Sequence, residues 1–262
     1  MEVDRPPLSA PGLTSALVSP GGLWRDIKVV GETGSTNTDL LQAAAAGAAE
    51  GAVLAAEAQT AGRGRMGRRW LSPPRASLIF SVLFRPAGVP ANSLGWLPLL
   101  AGVAAVSALR RVAELEAVLK WPNDVLIGQR KLAGILAEQS GGAIVVGMGI
   151  NVSELPPGDA GASATCVEAE RAGRVSRDEL LVGVLRDLED RYRRWTADLD
   201  GCGVQQEFAS LCGTIGRTVR VELPGGRVLT GTATEVDSHG RLVLRTEEAL
   251  TAVSAGDVVH VR

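Results

Sequence analysis

The apolar positions of this chain change period several times, and each change predicts an element. Ile27-Lys28-Val29-Val30, with Trp24 just before it, predicts a first strand. Asp39-Leu40-Leu41-Gln42 and the alanines beyond predict a helix, capped by Ser35, Thr36 or Asn37 and ended by Gly47. The run Val53-Leu54-Ala55-Ala56, continued to Ala58, reads as a buried strand, and Ser77 to Phe84 as a second. Leu97 to Val112 is apolar almost all round, which predicts a helix buried against a sheet, with Pro98 tolerated in its first turn. Val118 to Lys120 enters the polar turn Trp121-Pro122-Asn123-Asp124 and leaves it as Val125-Leu126-Ile127. Gly128-Gln129-Arg130 is a hairpin turn, Lys131 to Glu138 the returning strand, and Ala143 to Gly149 another.

Ser176-Arg177-Asp178-Glu179 is a capping box, and the helix it opens carries Leu180, Leu181, Val184, Leu185 and Leu188 on one face through about Trp195. A shorter helix covers Gln205 to Leu211. From Thr214 onward the pattern switches to about five short strands separated by Pro-Gly-Gly and Asp-Ser-His-Gly turns, the size of an SH3-like β-barrel. Strands in a row with helices on one side predict an α+β fold with a mixed, mainly antiparallel sheet. Residues 1–25, rich in Pro, Ser and Gly, are expected to be a flexible tail. The main domain is then 26–212 and the small barrel 213–262.

Composition narrows the function. A net charge of −2 over 262 residues argues against a nucleic-acid binder driven by bulk charge, and 3% aromatics argues against base-stacking platforms. Cys166, Cys202 and Cys212 are odd in number and lack metal-type spacing, which reads as reduced thiols in a cytoplasmic protein. No secretory pattern opens the chain, and no apolar run is expected to cross a membrane. The only histidines are His239 and His260, so the first 238 residues contain neither a Ser-His-Asp triad nor a histidine metal site.

The candidate chemistry centres on Gln59-Thr60-Ala61-Gly62-Arg63-Gly64-Arg65-Met66-Gly67-Arg68-Arg69-Trp70. Three glycines permit sharp turns and close backbone approach, and four arginines supply planar donor forks for carboxylate or phosphate. The spelling Gly62-x-Gly64-x-x-Gly67 matches a dinucleotide fingerprint, but Arg68 to Pro74 is a poor helix start, and no Gly-Lys-Ser/Thr follows for a P-loop. A solvated basic loop is the plain alternative. Ser35-Thr36-Asn37 suffices as a helix cap; the functional reading adds a polar ligand pocket at the helix N-terminus.

With Lys120-Trp121-Pro122-Asn123-Asp124, Lys131-Leu132-Ala133-Gly134-Ile135-Leu136 and Gly147-Met148-Gly149-Ile150-Asn151 in this order, the chain resembles the biotin protein ligase family over about residues 27–262. The resemblance implies a class II synthetase-like catalytic domain that binds biotin and ATP. It implies attack of the biotin carboxylate on the α-phosphate of MgATP, giving biotinyl-5′-AMP and pyrophosphate, then transfer to one lysine of a carrier domain. Lys131 is the expected stabiliser of charge between carboxylate and phosphate. Arg65 and Asp124 are expected to share in catalysis, Asp124 as a base or an orienting group. Ser35, Thr36, Asn37, Gln59, Gly62, Arg63, Gly64, Arg65, Lys131 and Gly134 match biotin-contacting positions. Arg65, Arg68, Trp70, Asn123, Lys131 and Asn151 match the nucleotide side. No metal ligands are assigned on the protein; Mg²⁺ is expected with ATP.

The implied partner is the biotin carboxyl carrier domain of an acyl-CoA or pyruvate carboxylase. Ser35-Thr36-Asn37 comes too early for a preceding winged-helix domain, so a monofunctional form is expected, without sequence-specific DNA or membrane contact, as a monomer or ligand-induced homodimer. Met66 departs from the charged or aromatic residue common there. With ordering costs on the order of 1–2 kcal/mol per residue, the arginine loop is expected to be mobile until the adenylate gives it something to hold. The rivals are a lipoate or octanoate ligase of the same fold, a non-catalytic nucleotide-binding regulator, and an RNA binder.

Overall fold

In the computed structural model, residues 5–155, 161, 163–199 and 201–261 are described. The main sheet is built from β1 (Asp26–Val30), β2 (Ala52–Ala56), β3 (Ser77–Phe84), β4 (Val118–Lys120), β5 (Asp124–Ile127), β6 (Arg130–Ser140) and β7 (Ala143–Asn151). Their order across the sheet is β1-β2-β3-β7-β6-β5-β4. Only β1 and β2 run parallel; the other neighbours are antiparallel. β3 and β7 are central and buried at every position, which explains why both read as continuous apolar runs rather than alternating ones.

Helix α1 (Ala10–Leu17) precedes the sheet and α2 (Thr36–Ala45) follows β1. The long α3 (Trp96–Ala113) lies in the core with the cluster that spans both domains. By composition, Ala91–Ala113 is long and apolar enough to cross a membrane, which corrects the expectation that no such stretch exists. Its apolar faces are instead covered by protein: Leu97, Leu100, Val103, Val106 and Leu109 have no exposed surface. Then come α4 (Val167–Arg171), which the pattern did not predict, α5 (Arg177–Ala197) and α6 (Val204–Leu211).

The expected flexible tail is also corrected. Residues 1–4 lie outside the described residues, but Ser9 caps α1 by accepting from Gly12 N, and a proline sits in its first turn. Leu8, Leu13, Leu17, Leu23 and Trp24 are all buried. Five large apolar side chains, hidden in a Pro/Ser/Gly-rich composition, anchor the segment. Leu8 N donates to Glu57 Oε1 at 2.6 Å, and Glu57 also pairs with Arg177 at 2.7 Å. Both charges are buried, so removing either costs ~3–5 kcal/mol by stranding the other.

The C-terminal sheet comprises β8 (Thr218–Glu222), β9 (Val228–Val236), β10 (Leu242–Arg245), β11 (Leu250–Val253) and β12 (Asp257–His260), antiparallel in the order β11-β10-β9-β8-β12. Two indoles fasten it to the main domain: Trp121 Nε1 donates to Gly240 O at 3.1 Å and Trp96 Nε1 to Ser238 O at 2.9 Å. Trp121 N also donates to Thr214 Oγ1 at 3.1 Å. This docking brings the start of β12 to the mouth of the site.

Candidate functional site

A cavity of about 280 Å³ opens over the middle of the main sheet, roofed by the arginine loop and closed at one side by β12. One end is neutral. The start of α2 places Ser35, Thr36 and Asn37 there, all buried. Thr36 N donates to Gln59 Oε1 at 2.8 Å. Ser81 Oγ lies 2.7 Å from Thr36 Oγ1 and 2.6 Å from Asn37 Oδ1. Asn37 Oδ1 has no proton to give, so the Ser81 hydroxyl donates to it, and the one Thr36 hydroxyl proton serves either Ser81 Oγ or Gln59 Oε1, 3.1 Å away. Asn37 Nδ2 reaches Leu136 O at 3.2 Å and Glu138 Oε2 at 2.8 Å. Ser35 caps α2 only through a long 3.5 Å contact to Thr38 N. Gly147 of β7 lies beneath: a Cβ there would overlap Asn37 Oδ1.

The other end is cationic. Six cationic side chains line the cavity, Arg63, Arg65, Arg68, Arg69, Lys120 and Lys131, against two carboxylates, Asp124 and Asp257. Lys131 Nζ lies 2.6 Å from Asp124 Oδ1 as an ion pair off the hydrogen-bond axis, since that oxygen has no hydrogen bond. Burial lowers the Lys120 pKa; Asp124 opposes this, while Lys131 and Arg68 add to it. Burial likewise lowers that of Arg65, with Asp124 opposing and Arg68 adding. So many cations around so little negative charge form a receptor for polyanions such as phosphate.

The loop is a small hairpin rather than a helix start. Arg63 pairs with Arg69, Gly64 N donates to Arg68 O at 2.7 Å, and Trp70 N donates to Gly62 O at 2.9 Å. Its tip is a three-residue turn, Arg65–Gly67, in which Met66 and Gly67 both take positive φ. The expectation that the arginines have little to hold without ligand is corrected. Arg63 binds Thr38 and Glu138, Arg65 binds Asn123 Oδ1 at 3.1 Å and Gly256 O at 3.3 Å, and Arg69 binds Thr60 O at 3.1 Å. Arg68 forms an ion pair with Asp257 of β12.

Trp70 follows the stem and lays its ring across Gly149 and Gly134; a Cβ at Gly149 would overlap the indole. Gly134 also lets Lys131 Nζ approach, 3.3 Å from where a Cβ would stand. Gly62 and Asn151 do not line the cavity itself. Gly62 sits in the stem, where a Cβ would fall 2.6 Å from Trp70 O and 2.8 Å from Gln59 Nε2. Asn151 is buried on the same face of β7 as Gly147 and Gly149, with Nδ2 donating to Thr165 O at 3.1 Å. Asn123 Nδ2 donates to Ile135 O at 3.1 Å. Trp70 Nε1 and Asn151 Oδ1 are buried without hydrogen-bond partners, the first on the cavity wall and the second behind it.

Sequence reasoning missed Ser81, Glu138 and Asp257. Ser81 lies in a strand that is apolar apart from its serines, and Glu138 ends the Lys131 segment; both were visible as polar breaks. Nothing local marks Asp257. Among the described residues no three His, Cys, Asp or Glu side chains gather to hold a metal.

Residues 31–153 match the Biotin/lipoate A/B protein ligase family and residues 214–261 the Biotin protein ligase C terminal domain. A biotin--[acetyl-CoA-carboxylase] ligase of Mycobacterium tuberculosis is 45% identical, covering 98% of this chain and 97% of that one. The chain belongs to the biotin protein ligase family. A bifunctional ligase/repressor of Bacillus subtilis is 31% identical, with 80% of this chain matching 66% of that protein. Among solved structures, a biotin protein ligase from Aquifex aeolicus in complex with biotin and ATP superimposes with a TM-score of 0.80 at 28% identity, over 91% of this chain and all of that one. The α+β catalytic fold and the C-terminal sheet are those of biotin protein ligases.

Proposed function

We propose that the cavity binds biotin at its neutral end and MgATP at its cationic end, and joins them beside Lys131. The reaction is the ATP-dependent attachment of biotin to protein, through biotinyl-5′-AMP with release of pyrophosphate. The observation that carries the residue roles is that one cavity joins the buried neutral groups of α2 to six cations, with Lys131 paired to Asp124 among them.

A ureido ring offers N–H donors and one carbonyl acceptor without net charge, which suits Ser35, Thr36, Asn37 and Gln59 in a buried, hydrogen-bonded setting. The carboxylate at the far end of the acid must approach an α-phosphate, so two anions are forced together. Lys131 and Arg65 neutralise them and stabilise the charge that builds on the bridging oxygens. Asp124 orients the Lys131 ammonium. Arg68 holds the outer phosphates, Trp70 and Asn123 bound the nucleoside, and the buried Asn151 packs behind that wall. In the second step the neutral amine of a carrier lysine attacks the acyl carbonyl, and AMP leaves with the cations still around its phosphate.

The protein substrate is a biotin-carrying carboxylase domain. We further propose a biotin carboxyl carrier domain of an acyl-CoA or pyruvate carboxylase, modified in the cytoplasm by a chain acting as monomer or ligand-induced homodimer, without sequence-specific DNA contact. Sedimentation with and without biotin and ATP separates the two assembly states. The main test is biotin-dependent exchange of pyrophosphate into ATP, with lipoate and octanoate in parallel. Exchange with biotin alone supports the reading; exchange with lipoate keeps the fold and overturns the substrate.

A further inference from the structure

Glu138 lies on β6 opposite Val145 of β7, off the cavity surface and on the wall of a neighbouring groove along the arginine loop. Its Oε2 accepts from Asn37 Nδ2 at 2.8 Å and from the Arg63 guanidinium at 3.2 Å. The same Arg63 nitrogen donates to Thr38 Oγ1 at 2.8 Å. One carboxylate therefore ties together the first turn of α2, the strand β6 and the stem of the loop. Asn37 alone would be served by any neutral acceptor. The negative charge answers Arg63.

We propose that Glu138 is the catch of the arginine loop, a positioning residue that acts through Arg63 on the loop and through Asn37 on the acid-binding end. Arg63 stands in the stem between Gly62 and Gly64, so its side chain is the only handle at that point. The stem hydrogen bonds, Gly64 N to Arg68 O and Trp70 N to Gly62 O, make the hairpin move as one piece. Fixing Arg63 therefore sets the positions of Arg65 and Trp70 as well. The shared oxygen links the two events: when Arg63 is seated, Glu138 is held where Asn37 needs it, and the acid end is shaped as the roof closes. The pair is 45% and 24% exposed, so salt screens it and weakens the catch. What the closed loop retains, the acyl-adenylate, rests on the ligase reading; the coupling of Glu138 to the loop does not.

Glu138→Gln keeps an oxygen for Asn37 Nδ2 and removes the charge facing Arg63. Glu138→Ala removes both. Amide hydrogen exchange of residues 62–70 is measured first, in substrate-free protein with thermal unfolding as a folding control. Biotin KM, kcat for pyrophosphate exchange and adenylate release follow. Both variants are expected to speed loop exchange and adenylate release about threefold to tenfold, as befits a partly exposed charged contact. Glu138→Gln raises the biotin KM slightly, Glu138→Ala raises it more, and kcat changes little in either. Added salt speeds loop exchange more in the wild type than in Glu138→Gln, which keeps only the Arg68–Asp257 pair to be screened. Wild-type loop exchange and release in both variants would overturn the proposal. Failure of the wild type to exchange pyrophosphate would instead overturn the ligase reading and leave the loop measurement standing.

Discussion

The two ends of the cavity solve opposite problems with neighbouring residues of one strand. At the neutral end Thr36, Asn37, Ser81 and Gln59 Oε1 already sit in one hydrogen-bond network, and Gly147 leaves room for Asn37. At the cationic end six positive side chains face two carboxylates, and Trp70 Nε1 is left without a hydrogen bond. The first end is finished before a ligand arrives, which favours a rigid uncharged ring of fixed shape. The second is overcharged and under-bonded, a state that a polyanion with a base relieves. Selectivity is thus preorganised at one end, while transition-state stabilisation is stored as unbalanced charge at the other.

The comparison breaks most visibly at its centre. Lys131→Ala removes the cation proposed to serve both reacting anions, and pyrophosphate exchange should fall on the order of 10²–10³-fold in kcat with the fold intact, as for loss of one charge-stabilising donor. Arg65→Gly should loosen the roof from Asn123 and Gly256 and raise free biotinyl-AMP in the medium about tenfold or more, the worth of charged hydrogen bonds at ~1.5–3 kcal/mol. Equal release by variant and wild type would remove Arg65 from the retention role.

The two glycines of β7 separate the ends more finely. Gly147→Ala drives a methyl into Asn37 and should raise the biotin KM about tenfold with the ATP KM near wild type; Gly149→Ala drives one into Trp70 and should do the reverse, since overpacking costs ~1–3 kcal/mol. If both variants raise the same KM, the division of the cavity is wrong.

The smallest effect lies at the seam. His260 Nε2 lies 3.2 Å from Thr214 Oγ1, and burial, then Lys120 and Arg217, hold its pKa below the ordinary value. The unfolded chain therefore binds the proton more readily. This group's contribution to stability is complete above about pH 6.5 and is lost as the pH falls. Denaturant unfolding between pH 7 and 5 should show a shallower pH slope in His260→Gln than in wild type.

Much of the site was legible because its chemistry is local. The arginine loop, Lys131 with Asp124, and Ser35-Thr36-Asn37 each occupy a short stretch whose residue types announce their task. The sheet was legible because β3 and β7, covered on both faces, write continuous apolar runs. The helix at Ala10–Leu17 was not legible, because its anchoring depends on Glu57 and Asp178, far away in the chain.

The sequence by itself determined the class of fold, the two sheets and which charged and polar side chains were candidates for the site, since periodicity and side-chain chemistry are properties of short segments. Only the tertiary structure decided which charges face one another. Asp257 reaches Arg68 from a separate sheet, Glu138 joins Arg63 to Asn37, and Trp70 covers Gly149. These pairings join residues 75 to 189 positions apart in the chain. Coulomb and packing energies depend on distance in space, which no local pattern encodes.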